Sequence, residues 1–292
     1  GIVDHRTEDD QVIDLETGDI GYHAAPVVAK DTIIIGAAHL TARVPKSKAN
    51  VKGHVRGYDV RSGKRLWIFH TIPRPGEFGN DTWENDSWSY TGNAGVWAQM
   101  TIDEELGMVY LPVETPTGDE YGGHRPGNGL FGESLVALDL KTGKRVWHYQ
   151  LIHHDIWDWD TASAPVLLDV RVDGRPRKIV AQVNKQGFTY VFDRVTGDPI
   201  WPIVERPVPQ SDVPGEKTAP THPFPTKPAP FDRQGVTEAD LIDFTPELKA
   251  EAIRIASQFK LGPLYTPPTL QGTIVMPGAI GGGGWGGGAF DP

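Results

Sequence analysis

The chain contains no cysteine among its 292 residues, which excludes disulfide bonds and thiolate metal sites. It also lacks any apolar run of the roughly 18 residues that a membrane-spanning helix needs, so we expect no membrane span. Basic residues are scarce, because 28 lysines and arginines are outnumbered by 38 aspartates and glutamates, and the formal net charge is −10. Phosphate binding needs a basic face, and we therefore expect no nucleic-acid partner.

Glycine and proline are abundant, with 34 and 25 copies, and they stand beside 9 tryptophans, 8 tyrosines and 10 phenylalanines. Such a composition favours turn-rich, all-β structure over disorder. The sequence begins at Gly1 and stops at Pro292, shortly after a glycine-rich segment, and we expect it to be an internal piece of a longer protein.

One sequence pattern occurs three times, in GYDVRSGKRLW (57–67), ALDLKTGKRVW (137–147) and VFDRVTGDPIW (191–201). Each copy has an aspartate, a glycine four residues later and a tryptophan eight residues after the aspartate. The Asp-x-x-Ser/Thr-Gly segment is typical of a turn whose glycine adopts a positive φ, so each copy predicts a β-hairpin.

Further β-branched runs, broken by Asp, Gly and Asn turns, lie between the three hairpins. A repeated unit of several short strands with a recurrent tryptophan indicates a β-propeller, and we expect the tryptophan to pack between neighbouring blades. The predicted fold class is all-β, with residues 1–292 forming one partial propeller domain of about four blades, too few to close a ring. The alternative is a plain β-sandwich in which the hairpins recur by coincidence.

Residues 202–270 interrupt the strand pattern. Nine prolines fall between Pro202 and Pro230, which predicts an extended arm without strands. A helix near 246–260 should follow, because Thr245 suits the N-cap, proline suits the first helical position and Gly262 suits the stop. We expect this helix to be structural decoration.

The segment HHDIWDWD (153–160) holds two histidines, three acids and two tryptophans within eight residues. On the residues alone, three interpretations stay open: a tight polar turn in which Asp158 is a cap, a transition-metal site, or a reaction centre. Hydrogen bonds that orient neighbouring site residues, or that close the ends of strands, suit the histidines and the two other acids better than metal ligation.

The Asp-x-x-Thr-Gly-Lys-x-x-Trp hairpins, HHDIWDWD, NKQGFTYVFDRVTG and GGGGWGGGAFDP together resemble the quinoprotein dehydrogenases. That family carries pyrroloquinoline quinone (PQQ) on an eight-bladed β-propeller, and the branch most similar to this chain is that of the membrane glucose dehydrogenases, within the alcohol dehydrogenase superfamily. The resemblance covers nearly the whole chain. It implies that a sugar, polyol or alcohol is oxidised by hydride transfer to the quinone, with electrons passed to ubiquinone or a cytochrome. It also implies a bacterial periplasmic location, with membrane association through segments outside this chain.

The resemblance also implies roles for individual residues. Asp158 matches the general base, which would take the hydroxyl proton of the substrate while the quinone accepts the hydride. Burial beside two tryptophans would raise its pKa. Lys185, 27 residues later, matches the cation that hydrogen-bonds a quinone oxygen, and Trp97 matches the tryptophan floor under the planar cofactor. The alternatives are an exposed turn lysine and a tryptophan of the blade core.

The metal site departs from the family pattern. The loop 37–57 contains no acid where the family places a carboxylate ligand, and Thr115 stands where the glucose branch has a metal-binding asparagine. Because Ca²⁺ or Mg²⁺ needs oxygen ligands, Glu114 is the candidate substitute. Thr115, His23 and Trp285 are expected to contact the cofactor, although Gly284 replaces an asparagine that touches the quinone in many relatives.

A non-catalytic propeller that serves as a platform for protein interactions is the alternative function, since it would show the same hairpins. A platform does not need Trp97, Asp158 and Lys185 together, so the enzyme is favoured. We expect this piece alone to lack full activity, because an open half-propeller exposes sheet edges and binds PQQ poorly.

Overall fold

A computed structural model describes residues 11, 20–21, 24–39 and 47–291, which are mostly short antiparallel strands. The strands are β1 Ile20–Gly21, β2 Val27–Ala29, β3 Thr32–Ile35, β4 Ala38–His39, β5 Val55–Asp59, β6 Arg65–Phe69, β7 Thr101–Asp103, β8 Met108–Pro112, β9 Ser134–Asp139, β10 Arg145–Gln150, β11 Val166–Val172, β12 Arg175–Val183, β13 Thr189–Asp193, β14 Ile203–Pro207 and β15 Thr221–Pro225.

These strands form three meandering blades. The first blade has the order β2-β3-β5-β6, the second has β7-β8-β9-β10, and the third has β11-β12-β13. All neighbours within a blade are antiparallel. A short pair, β1 with β4, and a separate ribbon, β14 with β15, complete the described sheets. A meander of this kind is the unit that the repeated hairpins predicted.

The hairpin turns have the predicted geometry. Asp59 Oδ1 accepts hydrogen bonds from Ser62 N and Ser62 Oγ, both at 2.7 Å, and Gly63 adopts φ +68°. The turns that begin at Asp139 and Asp193 repeat the backbone bonds to their aspartate carboxylates, and their glycines also have positive φ. The hydroxyl also donates to the repeat aspartate in the first two turns, whereas Thr196 Oγ1 in the third turn donates to Asp198 Oδ2 at 2.7 Å.

Two of the three repeat tryptophans join one blade to the next, as predicted. Trp67 Nε1 donates to the carbonyl of Leu140 at 3.1 Å, and its ring covers the turn of the second blade so closely that a Cβ on Gly143 would lie 2.5 Å from the indole. Trp147 Nε1 donates in the same way to the carbonyl of Arg194 at 3.1 Å. Each indole therefore satisfies a buried carbonyl of the following blade while it fills the space between the two sheets.

The third hairpin differs from the prediction on its return side. Its turn forms, but the segment leading to Trp201 is reduced to an isolated bridge between Phe192 and Pro199. Pro199 and Pro202 have no N–H to donate to a ladder, so the fourth strand of this blade does not extend.

The proline-rich arm is not free of strands, so that prediction was wrong. β14 and β15 pair antiparallel over five residues, from Ile203 opposite Pro225 to Pro207 opposite Thr221. A two-stranded ribbon leaves an unpaired edge on each strand, and prolines are tolerated there because no partner requires their N–H.

The predicted helix forms as α1 (Pro246–Ala256), and Thr245 Oγ1 accepts from Leu248 N at 3.3 Å as its N-cap. It ends four residues before the predicted end at 260 and does not reach Gly262. The chain continues past the helix in tight turns, with Gln258 N donating to Ile255 O and Phe259 N to Ala256 O, and Lys260 N then donates to Gly272 O at 2.9 Å. No helix in the described part of the chain is long and apolar enough to cross a membrane.

Two hydrophobic clusters fill the spaces between the sheets. One lies between the first two blades and includes Ile34, Trp67 and Leu111. The other joins the second and third blades to the arm, and it includes Trp157 and Tyr265. The apolar side chains of the segment 153–160 belong to the second cluster, so its polar side chains lie directly against that cluster.

Candidate functional site

The segment 153–160 connects β10 to β11 and folds as a tight turn around one carboxylate. Asp155 Oδ1 accepts from Trp157 N at 3.2 Å, and Asp155 Oδ2 accepts from Trp159 N at 3.0 Å. His154 and Asp158 both adopt left-handed backbone conformations, with φ +48° and +56°. These reversals bring Asp158 out of the turn while Asp155 stays buried beneath it.

The two tryptophans of this turn fix it to the rest of the molecule. Their rings stack with centroids 5.3 Å apart, and both rings meet Tyr265 edge to face. Trp157 Nε1 donates to the carbonyl of Thr266 at 2.9 Å, and Trp159 Nε1 donates to the carbonyl of Gly278 at 3.2 Å. The turn therefore cannot shift without breaking contacts to the segment that follows α1.

Lys185 is buried beside the turn and faces its acids. Its ammonium donates to the carbonyl of Asp158 at 2.6 Å and to Asp160 Oδ2 at 3.1 Å, and it lies 3.5 Å from Asp158 Oδ2. Burial works against the charge of Lys185, but Asp160 and Asp158 outweigh burial and raise its pKa. The ammonium is therefore a fixed cation at the site, which excludes the alternative of an exposed turn lysine.

The carboxyl of Asp158 is the exposed acid of the cluster, with about a third of its side chain (33 %) accessible. Burial, followed by the negative charge of Asp160, raises its pKa to about 8, and Lys185 opposes this rise. A carboxyl with a pKa near 8 can exchange a proton close to neutral pH, whereas an ordinary aspartate is a weak base there.

Asp160 joins the predicted residues to each other. It accepts from Trp97 Nε1 at 3.2 Å, from Thr115 N at 2.9 Å and from Lys185 Nζ at 3.1 Å. Three of the residues expected at the site therefore converge on one buried carboxylate, and Asp158 is connected to it through Lys185. The sequence predicted Asp160 only as a supporting residue for Asp158. No local sequence pattern shows that residues 45 and 63 positions away bond to it.

The hydroxyl of Thr115 lies between two buried acids. It is 2.6 Å from Asp155 Oδ2 and makes a short contact with Glu133 Oε1. One hydroxyl proton can serve only one of these oxygens, so one acid must carry a proton and donate it to the threonine oxygen. Burial raises the pKa of both acids, and it holds the pKa of Glu133 well above its usual range. Asp155 accepts two backbone N–H groups, so Glu133 is the neutral donor.

Glu114 is buried close to this network. Its Oε1 has no hydrogen-bond partner in the described part of the chain, and burial, followed by the charge of Asp160, raises its pKa well above the usual range. Residues 11, 20–21, 24–39 and 47–291 contain no group of three or more His, Cys, Asp or Glu that could hold a metal ion. Glu114 as a metal ligand therefore stays a prediction.

The two other residues predicted to contact the cofactor are not linked to this network in the described part of the chain. His23 lies outside the described residues. Trp285 is 60 % exposed, and the carbonyl of its neighbour Gly284 accepts from Ser163 Oγ at 2.8 Å. Their roles as cofactor contacts stay predictions.

The glycine-rich segment packs on the backbone of Lys185. Gly282 N donates to the carbonyl of Lys185 at 2.9 Å, and a Cβ on Gly281 would lie 2.5 Å from the Lys185 side chain. Gly281 also has φ +82°, so a side chain is disfavoured there twice over. The absence of side chains at Gly281 and Gly282 therefore lets the backbone of this segment lie directly against Lys185.

The two histidines of the segment are bound to glutamates of the arm. His153 Nε2 lies 3.1 Å from Glu205 Oε1, and His154 Nε2 lies 2.7 Å from Glu216 Oε1. Glu205 and Glu216 gave no signal in the sequence, since each is more than 50 positions from its histidine.

Comparison with known proteins gives consistent results. The family model described as "PQQ: Glucose/ethanol/alcohol dehydrogenase, beta-propeller domain" matches residues 1–292. The chain is 34 % identical over 276 residues to the quinoprotein glucose dehydrogenase of Escherichia coli (strain K12), covering 92 % of this chain and 33 % of the relative. It is 32 % identical over 281 residues to the quinate/shikimate dehydrogenase (quinone) of Acinetobacter baylyi, again covering 92 % and 33 %. The chain thus spans about a third of the length of these relatives.

Among solved structures, the quinohemoprotein alcohol dehydrogenase from Comamonas testosteroni superposes with a TM-score of 0.58 at 27 % identity. The match covers 74 % of this chain and 33 % of that structure. Together with the observed sheets, this similarity confirms the predicted partial β-propeller.

Proposed function

The chain belongs to the β-propeller family of the PQQ-dependent glucose, ethanol and alcohol dehydrogenases, and we propose that the full-length protein oxidises a CH–OH group of a sugar, polyol or alcohol. The observation that carries the proposal is a single one. Asp158 is a partly exposed carboxyl with a pKa raised to about 8, and it lies directly beside the buried ammonium of Lys185.

The residues present fit a planar, anionic quinone. The ring of Trp97 is half-buried and held at its N–H edge by Asp160, which suits a ring that stacks on a flat cofactor. Lys185 presents a cation that would hydrogen-bond a quinone oxygen. Bound PQQ would supply the acceptor for the hydride. His23, Thr115 and Trp285 complete the proposed cofactor contacts, which rest on the family resemblance.

Asp158 would take the hydroxyl proton of the substrate while the carbon gives up its hydride. Because a base must be ionised, and because the pKa of Asp158 is raised, the fraction of active base grows as the pH rises toward and past about 8. Lys185 would favour the ionised carboxylate before the reaction and would stabilise negative charge on a reduced quinone oxygen afterwards.

The proposed metal, Ca²⁺ or Mg²⁺, rests on fewer observations. The unpartnered, buried oxygen of Glu114 suits a hard cation, but the described residues do not form a complete ligand set. The proposed roles of Asp158 and Lys185 do not depend on a bound metal ion.

The electron acceptor and the compartment also belong to the proposal. One similar protein is named as a quinone-linked enzyme, which supports ubiquinone as the acceptor, with a cytochrome as the alternative. Periplasmic location rests on the family resemblance, as does association with the membrane through other segments.

Reconstitution of the full-length protein with PQQ and Ca²⁺ or Mg²⁺ tests this function. Dye reduction is measured with glucose, polyols, quinate and short alcohols. Asp158→Asn should retain PQQ on desalting and lower turnover by about a hundredfold or more, the usual scale for loss of a general base. Asp169→Asn is the matched control, because Asp169 is an exposed acid on β11 that pairs with Lys178 and Arg194.

Two outcomes would count against the proposal. An unchanged turnover in Asp158→Asn would assign the base elsewhere. Failure of the wild-type protein to retain PQQ and to reduce dye with any substrate would favour the interaction platform.

A further inference from the structure

Two adjacent histidines of the site segment make the same kind of contact in different surroundings. His153 pairs with Glu205, whose side chain is 47 % exposed. His154 pairs with Glu216, and both of these side chains are only 2 % exposed. Glu205 lies on β14, and Glu216 lies in the loop between β14 and β15. The arm therefore touches the site segment through one solvated contact and one buried contact.

The buried contact is fully bonded on both sides. His154 Nδ1 faces the carbonyl of Gly127 at 2.9 Å, and a carbonyl can only accept, so this nitrogen carries a proton. Glu216 also accepts from Gly122 N at 2.6 Å and from Lys217 N at 2.9 Å. Burial raises the pKa of Glu216, but the hydrogen bond and charge of His154 outweigh it, so the pKa lies below its usual value. With Nε2 2.7 Å from Glu216 Oε1, the ring of His154 bridges the carbonyl of Gly127 and the carboxyl of Glu216.

Close packing around the contact of His154 with Glu216 also restricts which residues can surround it. A Cβ on Gly122 would lie 2.5 Å from His154 Nε2, so only glycine lets the backbone N–H at 122 reach Glu216 beside the imidazole. The loop that carries Glu216 is closed on itself, because Ser211 N donates to Thr218 Oγ1 at 3.2 Å. Tyr121 fastens it to the neighbouring segment by donating to Pro214 O at 3.1 Å.

His154 occupies a backbone position that needs such support. A non-glycine residue in the left-handed region is strained, and it persists only when its surroundings hold it. The φ of His154 is +48°, and the next residue is Asp155, whose carboxylate organises the turn that ends in Asp158. A change in the His154 backbone would therefore move Asp155 and, with it, the candidate base.

We propose that Glu216 is a positioning residue of the active site: through His154 it holds the left-handed turn that orients Asp158. The catalytic consequence of this inference rests on the proposed function, whereas the contact between Glu216 and His154 is observed independently of it. The proline-rich arm, which the sequence predicted only as an extended segment, thus helps to position the candidate base.

The test compares Glu216→Gln with Glu205→Gln in the full-length protein. The second substitution removes the same charge from the same arm at the solvated contact, so it is the matched control. Misplacement of a reacting group by about 1 Å can cost about a hundredfold in rate, so Glu216→Gln should lower kcat by roughly tenfold to a hundredfold. KM should change less than kcat. Glu205→Gln should leave kcat close to that of the wild type.

A second readout does not need the cofactor. Amide hydrogen exchange over residues 153–160 reports the bonds from Trp157 N and Trp159 N to Asp155. Glu216→Gln should accelerate exchange there, with peptides of β7–β10 unchanged, and Glu205→Gln should not. If Glu216→Gln does not fold, His154→Asn tests the same expectation, because asparagine tolerates the left-handed region but cannot bridge both acceptors.

The outcomes separate this inference from the proposed function. Unchanged exchange in Glu216→Gln would show that the contact of Glu216 with His154 does not hold the turn. Faster exchange with unchanged kcat would show that Glu216 holds the turn but does not position Asp158 for the reaction. A wild-type protein without dehydrogenase activity overturns the proposed function, and the exchange rates then decide whether Glu216 holds the turn.

Discussion

Lys185→Met should raise the pKa of Asp158 above its already raised value of about 8. Methionine keeps an unbranched chain of similar length and removes the ammonium, which lies 3.5 Å from Asp158 Oδ2. The cation favours the ionised carboxylate, so its removal favours the protonated form. The rate should therefore reach its half-maximum at a higher pH in the variant than in the wild type.

The size of the shift follows from the distance. At 3.5 Å the attraction is about 1 kcal/mol in water and about 5 kcal/mol at an effective dielectric constant of about 20. A third of the Asp158 side chain is exposed, so solvent screening places the interaction in the lower part of this range. At about 1.4 kcal/mol per pKa unit, the expected upward shift is about one to two units.

The pH dependence of kcat/KM measures this shift in the free enzyme, and carbon NMR of the labelled aspartate carboxyl measures it without turnover. Lys178→Met is the matched control, since Lys178 is a more exposed lysine that pairs with Glu105 and Asp169 away from the site. It should leave the pKa of Asp158 unchanged. A pKa of Asp158 that stays the same or falls in Lys185→Met would refute the electrostatic account of the site.

The other predictions concern the acids around the base. Asp160→Asn removes the like charge that helps to raise the pKa of Asp158, so the pH at half-maximal kcat/KM should fall; a rise would contradict this. Glu133→Gln replaces a neutral acid by a neutral amide. Because burial holds the folded pKa of Glu133 well above 4.5, the wild-type protein must take up a proton on folding and should lose stability as the pH rises above that value. Urea unfolding at pH 5 and pH 8 should show a smaller loss in Glu133→Gln, and equal losses in both proteins would show that Glu133 is ionised.

The parts of the fold that the sequence predicted are those decided by local chemistry. The turn at Asp59 needs only its own carboxylate, a hydroxyl three residues later and a glycine. Thr245 caps the helix through a residue three positions away. The helix ends at Ala256, before the predicted 260, and Lys260 N bonds Gly272 O, a contact that no local pattern shows.

The candidate site divides in the same way. Asp158 and Lys185 could be named because the family motifs contain them, and the structure brings them within 3.5 Å. Asp160, Glu133 and Glu216 could not be named as a network, because their partners are far away in sequence and their importance comes from burial. The strands of the arm escaped prediction because prolines usually argue against pairing, and only an edge makes them acceptable.

The indole links between blades bear on how the chain is made. Trp67 finds its acceptor at Leu140, 73 residues later, and Trp147 finds its acceptor 47 residues later. A ribosome that adds about 5–20 residues per second needs about 4–15 s to supply the first of these partners. During that interval the first blade presents an uncovered tryptophan, and it is completed only when its successor emerges. We therefore expect the blades to be completed in order from the N-terminus, each one by contacts with its successor.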